Sequence, residues 1–436
     1  MTIDADRVER VLAARLEPDA GRSLAVAFSG GGDSLALLLI ATAWAGRIGR
    51  PLIALTLDHR LQARSGEWAA WCAARAAQLG VAHQILVWEG PKPTRGLPAA
   101  GRQARHRLVA GAARRAGARV VLFGHTADDI LESHRMQQDG LNISAPAAWS
   151  PSPVWPEGRD LFIHRPLIET RRAAIRTWLS DRGETWIDDP ANEDLNQPRA
   201  RARAEVVDGA VPPGALEELD RPIADSSAIG PAADISLPIS DWRELPDRLR
   251  WLGAAVACAA GGQKPARRTA LERIVARLAA SEPVDATLGG ARVLCDGDLL
   301  ILARETGDSR GRACRPMALL AGEHQVWDGR FEVRAKAPGL ALAALRGHAA
   351  KLDASQKKRL SALHPIVRAA LPALIDRGGA VVCPTLTVDP RIEIRGLVSG
   401  RLAGALGAID SEARIDFYDR EEGPWPRSTT ATSCRT

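Results

Sequence analysis

The first two hundred residues predict an α/β fold built on a parallel sheet, and three observations carry that expectation. Short buried β-rich runs alternate with longer helical stretches. A glycine-rich turn joins the first such run to an apolar helix. Beyond residue 236 the pattern changes to shorter strands and helices parted by turns, as in smaller α+β domains.

Taken in order, Ser23–Phe28 (SLAVAF) reads as a buried strand, with a helix beginning near Ser34. Pro51–Leu57 (PLIALTL) is a second buried strand. Gly66–Leu79 places Trp68, Trp71, Cys72, Ala76 and Leu79 on one face at helical spacing. His83–Trp88 is a third strand, Gly101–Ala116 another helix, and Arg119–Phe123 a fourth strand ending in Gly124-His125. Thr170 is placed to cap a helix carrying Ile175, Trp178 and Leu179, which stops near Gly183. Residues 208–236 are rich in Pro, Gly, Asp and Ala and read as a linker. Asp241–Ala280 reads as helical, followed by a Gly289-Gly290 turn between strands and by a strand pair around Val326–Val333. The domains expected are therefore 1–207, 237–310 and 311–405 around that linker, with a polar tail over 406–436.

The chain has 436 residues, a length that calls for two or three domains. Its formal charge of +6 and pI of about 9.3 suit a polyanionic partner, because Lys and Arg displace counterions from phosphates. The segment Met1–Arg7 carries no cationic stretch followed by an apolar core, and the apolar run Leu35–Ala45 is too short to span a bilayer. A cytoplasmic protein without a membrane partner is expected. Six scattered cysteines without a Cys-x-x-Cys pair indicate neither a disulfide framework nor a thiolate metal site.

The strongest chemical signal is Ser29-Gly30-Gly31-Gly32-Asp33-Ser34, between a buried strand and an apolar helix. Glycines let a ligand approach the main chain. The amides at the helix start point outward and carry the positive end of the dipole, roughly half a charge. With two serine hydroxyls added, the loop is a cradle for an anion of pyrophosphate size. It is neither a Walker A loop, lacking Gly-Lys-Ser/Thr, nor a Gly-x-Gly-x-x-Gly dinucleotide turn. A second cluster, His125 with Asp128, Asp129 and Glu132, follows the fourth strand. Asp129 and Glu132, three residues apart, can share a helix face. Such carboxylates suit Mg²⁺ on a nucleotide and removal of a proton from an amine. Acid pairs also simply favour helix starts, and a histidine there can be a satisfied turn residue.

The loop resembles the Ser-Gly-Gly-x-Asp-Ser signature of the N-type ATP pyrophosphatases, the PP-loop family. That resemblance implies a fold like the adenine nucleotide alpha hydrolases, with ATP cleaved between its α- and β-phosphates. Further stretches narrow it. Gly124–Ser133 (GHTADDILES), Arg165-Pro166-Leu167, Trp186–Asp194 (WIDDPANED) and Arg199-Ala200-Arg201-Ala202-Arg203 are similar to motifs of the tRNA(Ile)-lysidine synthetase family. Leu57–Leu61 and Gly101–His106 resemble two more, and Thr287–Gly290 a substrate-binding domain. Departures stand at His106, Ile130, Ser133, Gln197 and Ala200, where Tyr, Gln, Thr, an aromatic residue and Asn are usual.

What the resemblance implies is ligation of free L-lysine to C2 of the wobble cytidine of a CAU-anticodon tRNA(Ile), with ATP cleaved to AMP and pyrophosphate and Mg²⁺ as its cofactor. ATP would sit on Ser29–Ser34. Asp33 and Asp129 would position Mg²⁺, Glu132 would orient or deprotonate lysine, and His125 would steady the adenylate. Arg102, Arg105, Arg199, Arg201 and Arg203 are the candidate RNA contacts. The resemblance leaves a homodimer open. The rival readings are a tRNA thiolation enzyme on the same scaffold and an RNA-binding relative without catalysis.

Overall fold

A computed structural model describes residues 3–141, 143, 145–189, 194, 196–206, 221–262, 265–307 and 314–415. The chain divides into two compact units, Met1–Arg221 with Asp410–Ile415, and Pro222–Ile409 with Asp416–Thr436.

The first unit runs α1 (Ala5–Arg15), β1 (Leu24–Ala27), α2 (Gly32–Arg47), β2 (Leu52–Asp58), α3 (Ser65–Gln78), β3 (Ala82–Val87) and α4 (Leu97–Arg115). It continues with β4 (Val120–Leu122), α5 (Ala127–Gln138), β5 (Trp149–Pro151), β6 (Phe162–His164), α6 (Arg172–Ser180) and α7 (Pro198–Glu205). The sheet order is β3-β2-β1-β4-β6-β5, parallel except for β5 against β6. From β1 the chain steps outward to β2 and β3, then returns through α4 to place β4 on the other side of β1. Right-handed crossovers therefore put α2 and α3 on one face and α4 on the other. Val109, Ala112 and Ala113 of α4 pack with Ala25, Leu55, Leu86 and Val121 in one buried cluster. The reversal makes the gap between the carboxyl ends of β1 and β4 the topological switch point.

Two local expectations are corrected. Thr170 does not cap α6, whose N-cap is Arg171, with no side-chain capping bond to the helix amides. The amide of Arg172 instead donates to Asp128 Oδ2 at 2.7 Å, so a carboxylate from α5 closes this helix. The tail is also partly core. Glu412 is fully buried and takes Arg50 in a bidentate ion pair, with Nη1–Oε2 at 2.8 Å and Nη2–Oε1 at 2.6 Å. Ile415 is buried beside it in sequence, at 2% exposure.

The second unit holds a five-stranded sheet in the order β7-β8-β11-β10-β9, a four-stranded sheet β12-β15-β16-β17 and a three-stranded sheet β13-β14-β18. Their ranges are β7 Ala228–Ile229, β8 Ile235–Pro238, β9 Val284–Leu288, β10 Ala291–Asp296, β11 Leu299–Arg304 and β12 Met317–Ala318. The rest are β13 His324–Trp327, β14 Phe331–Ala335, β15 Ala341–Ala344, β16 Pro372–Ile375, β17 Val381–Val382 and β18 Ile392–Gly396. Residues 208–220 of the expected linker lie outside the described residues. Its remainder from residue 222 is built into this unit, with β7 and the start of β8 in the sheet and Ile223, Ala233 and Ile235 in the core. One hydrophobic cluster runs from Ile235 through Trp251 and Leu300 to Phe331 and Leu402, so 237–310 and 311–405 share a core. The predicted helix Asp241–Ala280 is three helices, Ile239–Glu244, Arg248–Ala259 and Arg268–Ala279.

Candidate active site

A cleft of about 520 Å³ opens at the switch point of the first unit, within the usual span for small-ligand sites. Its floor is the loop after β1. Gly30 has φ +83°, and a Cβ there would stand 2.5 Å from Ile187 Cδ1, so this position demands glycine. Gly31 is the N-cap of α2 and offers no side-chain cap, which leaves the amides of the first turn open to a ligand. Ser34 Oγ donates to the Gly31 carbonyl at 2.9 Å and accepts from the Ser29 amide at 3.2 Å, so the loop is folded over itself. A Cβ at Gly124 would meet the Asp33 backbone at 3.0 Å, which shows how closely the turn after β4 packs on the start of α2.

Over the loop lies the stretch Trp186–Asp189, with the Ile187 amide donating to the Gly30 carbonyl at 2.9 Å. Arg75 of α3 anchors its approach through Glu184. Of the motif that continues it, residues 190–193 lie outside the described residues.

The acids of the second cluster are held by arginines. Glu132 is 1% exposed; Oε1 accepts from Arg172 Nη1 at 3.0 Å and Arg203 Nε at 2.8 Å, and Oε2 accepts from Arg199 Nε at 2.8 Å. Burial pushes its carboxyl up, but the Arg203 hydrogen bond and the Arg172 and Arg199 charges outweigh it and hold it below the usual range. Asp129 shares that face of α5. Its Oδ2 takes the Thr126 amide and hydroxyl at 2.7 and 3.0 Å in a capping box, and Oδ1 takes Arg199 Nη2 at 2.5 Å. Asp128 points elsewhere, to Arg171 and the start of α6.

Asp33 accepts from Arg172 Nε at 3.1 Å on Oδ2 alone, and Oδ1 has no partner among the described residues. Burial, only partly offset by Arg172, raises its carboxyl to about 6. Desolvation of this kind is reversed by a cation, so Asp33 fits a place beside Mg²⁺. Asp129 has both oxygens engaged, Oδ2 with Thr126 and Oδ1 with Arg199, so a cation there would compete with Arg199. Among the described residues no group of three or more His, Cys, Asp or Glu side chains is arranged to hold a metal.

His125 stands at the end of β4 with its ring stacked on Phe123, 5.8 Å between centroids and 9° between planes. Phe123 in turn stacks on His106, at 5.4 Å. Arg165 Nε donates to His125 Nδ1 at 3.1 Å. Burial, and then the charges of Arg165, Arg105, Arg199 and Arg102, push ionisation of His125 well below the usual imidazole range.

The candidate RNA contacts separate. Arg199 and Arg203 are engaged with the acids, and Arg105 is buried under the cleft with its guanidinium 6.0 Å from the Phe123 ring. Its Nε has no hydrogen-bond partner among the described residues, and burial lowers its pKa to about 10. Arg102 and Arg201 are exposed. The departures at Ile130 and Ser133 turn away from the cleft chemistry: Ile130 is fully buried, and Ser133 Oγ donates to the Asp129 carbonyl at 2.7 Å. Sequence reasoning missed Arg172, which touches Asp33, Asp129 and Glu132 at 3.1, 3.6 and 3.0 Å. A signal existed. Arg171-Arg172 sits at a helix start, where the dipole disfavours cations unless carboxylates hold them.

Residues 4–210 match the PP-loop domain family, which defines the class of the first unit. Two relatives span nearly the whole chain. A tRNA(Ile)-lysidine synthase of Caulobacter vibrioides is 45% identical, covering 94% of this chain and 99% of that protein. One from Rhizobium meliloti is 34% identical over 91% of this chain and 88% of its own length. The chain belongs to the tRNA(Ile)-lysidine synthase family. Among solved structures, the U34-tRNA thiolase NcsA from Methanococcus maripaludis aligns with 46% of this chain and 71% of its own, at 14% identity and a TM-score of 0.39.

Proposed function

We propose that this chain is an ATP-dependent C–N ligase that joins free lysine to C2 of the wobble cytidine in CAU-anticodon tRNA(Ile), forming lysidine with release of pyrophosphate and AMP. The observation that carries the reading is the uncapped α2 start sharing one cleft with Asp33, Asp129 and the three arginines, Arg172, Arg199 and Arg203, that hold Glu132. The Ser29–Ser34 amides receive the β- and γ-phosphates of ATP. The cytidine C2 oxygen attacks the α-phosphorus, a P–O bond forms, and pyrophosphate leaves against the loop amides. Asp33 is the residue that would hold Mg²⁺ bound with ATP, and the ion would offset the charge of the leaving pyrophosphate. The lysine ε-amine, deprotonated, then attacks C2 and AMP departs. Glu132 receives or orients that amine once an arginine is drawn off it. Arg105, whose Nε is buried without a hydrogen bond among the described residues, supplies a cation for the α-phosphate or the tRNA backbone.

Thiolation is disfavoured by the state of the cysteines. Among the described residues Cys72, Cys258, Cys295, Cys314 and Cys383 are buried and form no disulfide. Cys72 does pack beneath the loop, with Sγ 3.0 Å from where a Gly30 Cβ would stand, but burial raises its thiol to about 11. A thiol so placed is a poor nucleophile. The test is mass spectrometry of nucleosides from tRNA(Ile) transcript incubated with enzyme, ATP and isotopically labelled lysine. A labelled lysidine is expected, whereas sulfur in the nucleoside, or unmodified cytidine, refutes the assignment.

A further inference from the structure

Arg165 lies one residue past β6 and is 5% exposed. Its guanidinium is fixed from behind, with Nη1 donating to the Ala147 carbonyl at 2.6 Å and to Ser150 Oγ at 3.0 Å. Its backbone amide donates to Ala148 at 2.8 Å. Its Nε–H points at His125 Nδ1 at 3.1 Å. A guanidinium has five donors, no acceptor, and keeps its proton at any pH of interest. Nδ1 must therefore present a lone pair, and the single proton of the neutral ring sits on Nε2. The imidazolium form would set N–H against N–H. Turning the ring over would put Cδ2 in place of Nδ1 and lose the Arg165 hydrogen bond, while the stack on Phe123 fixes the plane of the ring. His125 Nε2 has no hydrogen-bond partner among the described residues, and His125 lines the cleft.

We propose that Arg165 is a positioning residue that locks His125 as a neutral imidazole whose Nε2–H donates to the α-phosphate during adenylation. The role given to the phosphate rests on the function proposed above; the lock itself does not. His125 is then an electrophile. It takes no proton from lysine or cytidine, because its one basic nitrogen is capped. Charge grows on the non-bridging α-phosphate oxygens as cytidine attacks, and a fixed neutral donor meets it without reorganising. The arginines facing the ring, Arg165, Arg105, Arg199 and Arg102, act in the same direction, against its ionisation.

Long-range ¹H–¹⁵N spectra of histidine-labelled protein read the tautomer directly, with the His125 signal identified by its loss in His125→Asn. In the wild type a neutral Nε2–H pattern is expected, unchanged from pH 8 to about 5, where a free imidazole with pKa about 6.5 has ionised. A proton on Nδ1, or titration in that window, overturns the proposal. Arg165→Met removes the donor. Mixed tautomers and ordinary titration should appear, tRNA-dependent pyrophosphate release should lose about 10²-fold in kcat, and KM for ATP should move less than about threefold. Arg165→Gln is the rescue, since the Gln amide nitrogen stands the same number of bonds from Cα as Arg Nε and keeps a donor without charge. It should restore the tautomer and most of the lost rate. Full activity in Arg165→Met with a freed ring overturns the positioning role, and a wild-type protein with locked His125 but no pyrophosphate release counts against the ATP reading instead. Should Arg165→Met not fold, the wild-type spectrum and Arg165→Gln still decide.

Discussion

Replacing Gly30 or Gly31 by alanine adds the same methyl group one residue apart, and the structure predicts opposite consequences. At Gly30 the backbone is left-handed, with φ +83°, which costs an alanine about 1–2 kcal/mol. Its Cβ would also lie 2.5 Å from Ile187 Cδ1 and 3.0 Å from Cys72 Sγ, and displacing packed side chains adds about 1–3 kcal/mol. Gly30→Ala should therefore destabilise the first unit by about 2–5 kcal/mol. At Gly31, φ is −69° and a Cβ would meet nothing nearer than Ser29 Oγ at 3.7 Å. The loss of chain freedom in the unfolded state favours alanine and the N-cap preference opposes it, so stability should stay within about 1 kcal/mol. The methyl group does stand where phosphate must approach the helix amides. Removing one charge-assisted bond of about 1.5–3 kcal/mol weakens ATP binding about 10- to 100-fold. Thermal unfolding with and without ATP, joined to calorimetric ATP titration, separates the two effects. Wild-type ATP affinity in a folded Gly31→Ala protein would refute the idea that these amides seat the phosphates.

Glu412→Ala leaves the Arg50 guanidinium buried with the Glu17 and Arg22 carbonyls as its partners among the described residues, and should cost about 3–5 kcal/mol. The double change Arg50→Met with Glu412→Leu should recover at least half of that in denaturant unfolding; equal loss in single and double variants contradicts the account. Asp33 has a carboxyl raised above its unfolded value, so the folded state holds the extra proton, and stability falls as pH rises from about 3.8 to about 6, then levels off. Asp33→Asn should flatten that limb, raise the melting temperature above pH 6 and abolish pyrophosphate release. A variant that melts like wild type across pH 4–8 argues against burial as the cause.

The phosphate loop was legible because its residues are contiguous and bracketed by a strand and a helix whose periodicities differ. The parallel order through β4 followed from the same alternation. β5 and β6 escaped notice because each is three residues long, too short for a period, and one ends in Pro151. The stretch 221–236 has the composition of a linker, yet its few apolar residues, Ile223, Ala233 and Ile235, suffice to seat it in a core. Asp129 and Glu132 were found, but not their partners. Arginines that converge on them come from α6 and α7, and no local pattern distinguishes such an arginine from a solvated one. Arg105 and Arg102 show the same limit: three residues apart on one helix, one is buried under the cleft and the other is exposed.

The pair Arg50–Glu412 joins positions 362 residues apart. A ribosome adding about 5–20 residues per second needs about 20–70 s to cover that distance. For that interval the first unit exists with its sheet assembled and one guanidinium facing its own interior without a carboxylate. A chain that stops before residue 410 never leaves that state, and local opening then exposes it to proteases. The unit that carries the chemistry is thus sealed only after the whole second unit has been translated, so translation order itself withholds a finished catalytic unit from incomplete chains.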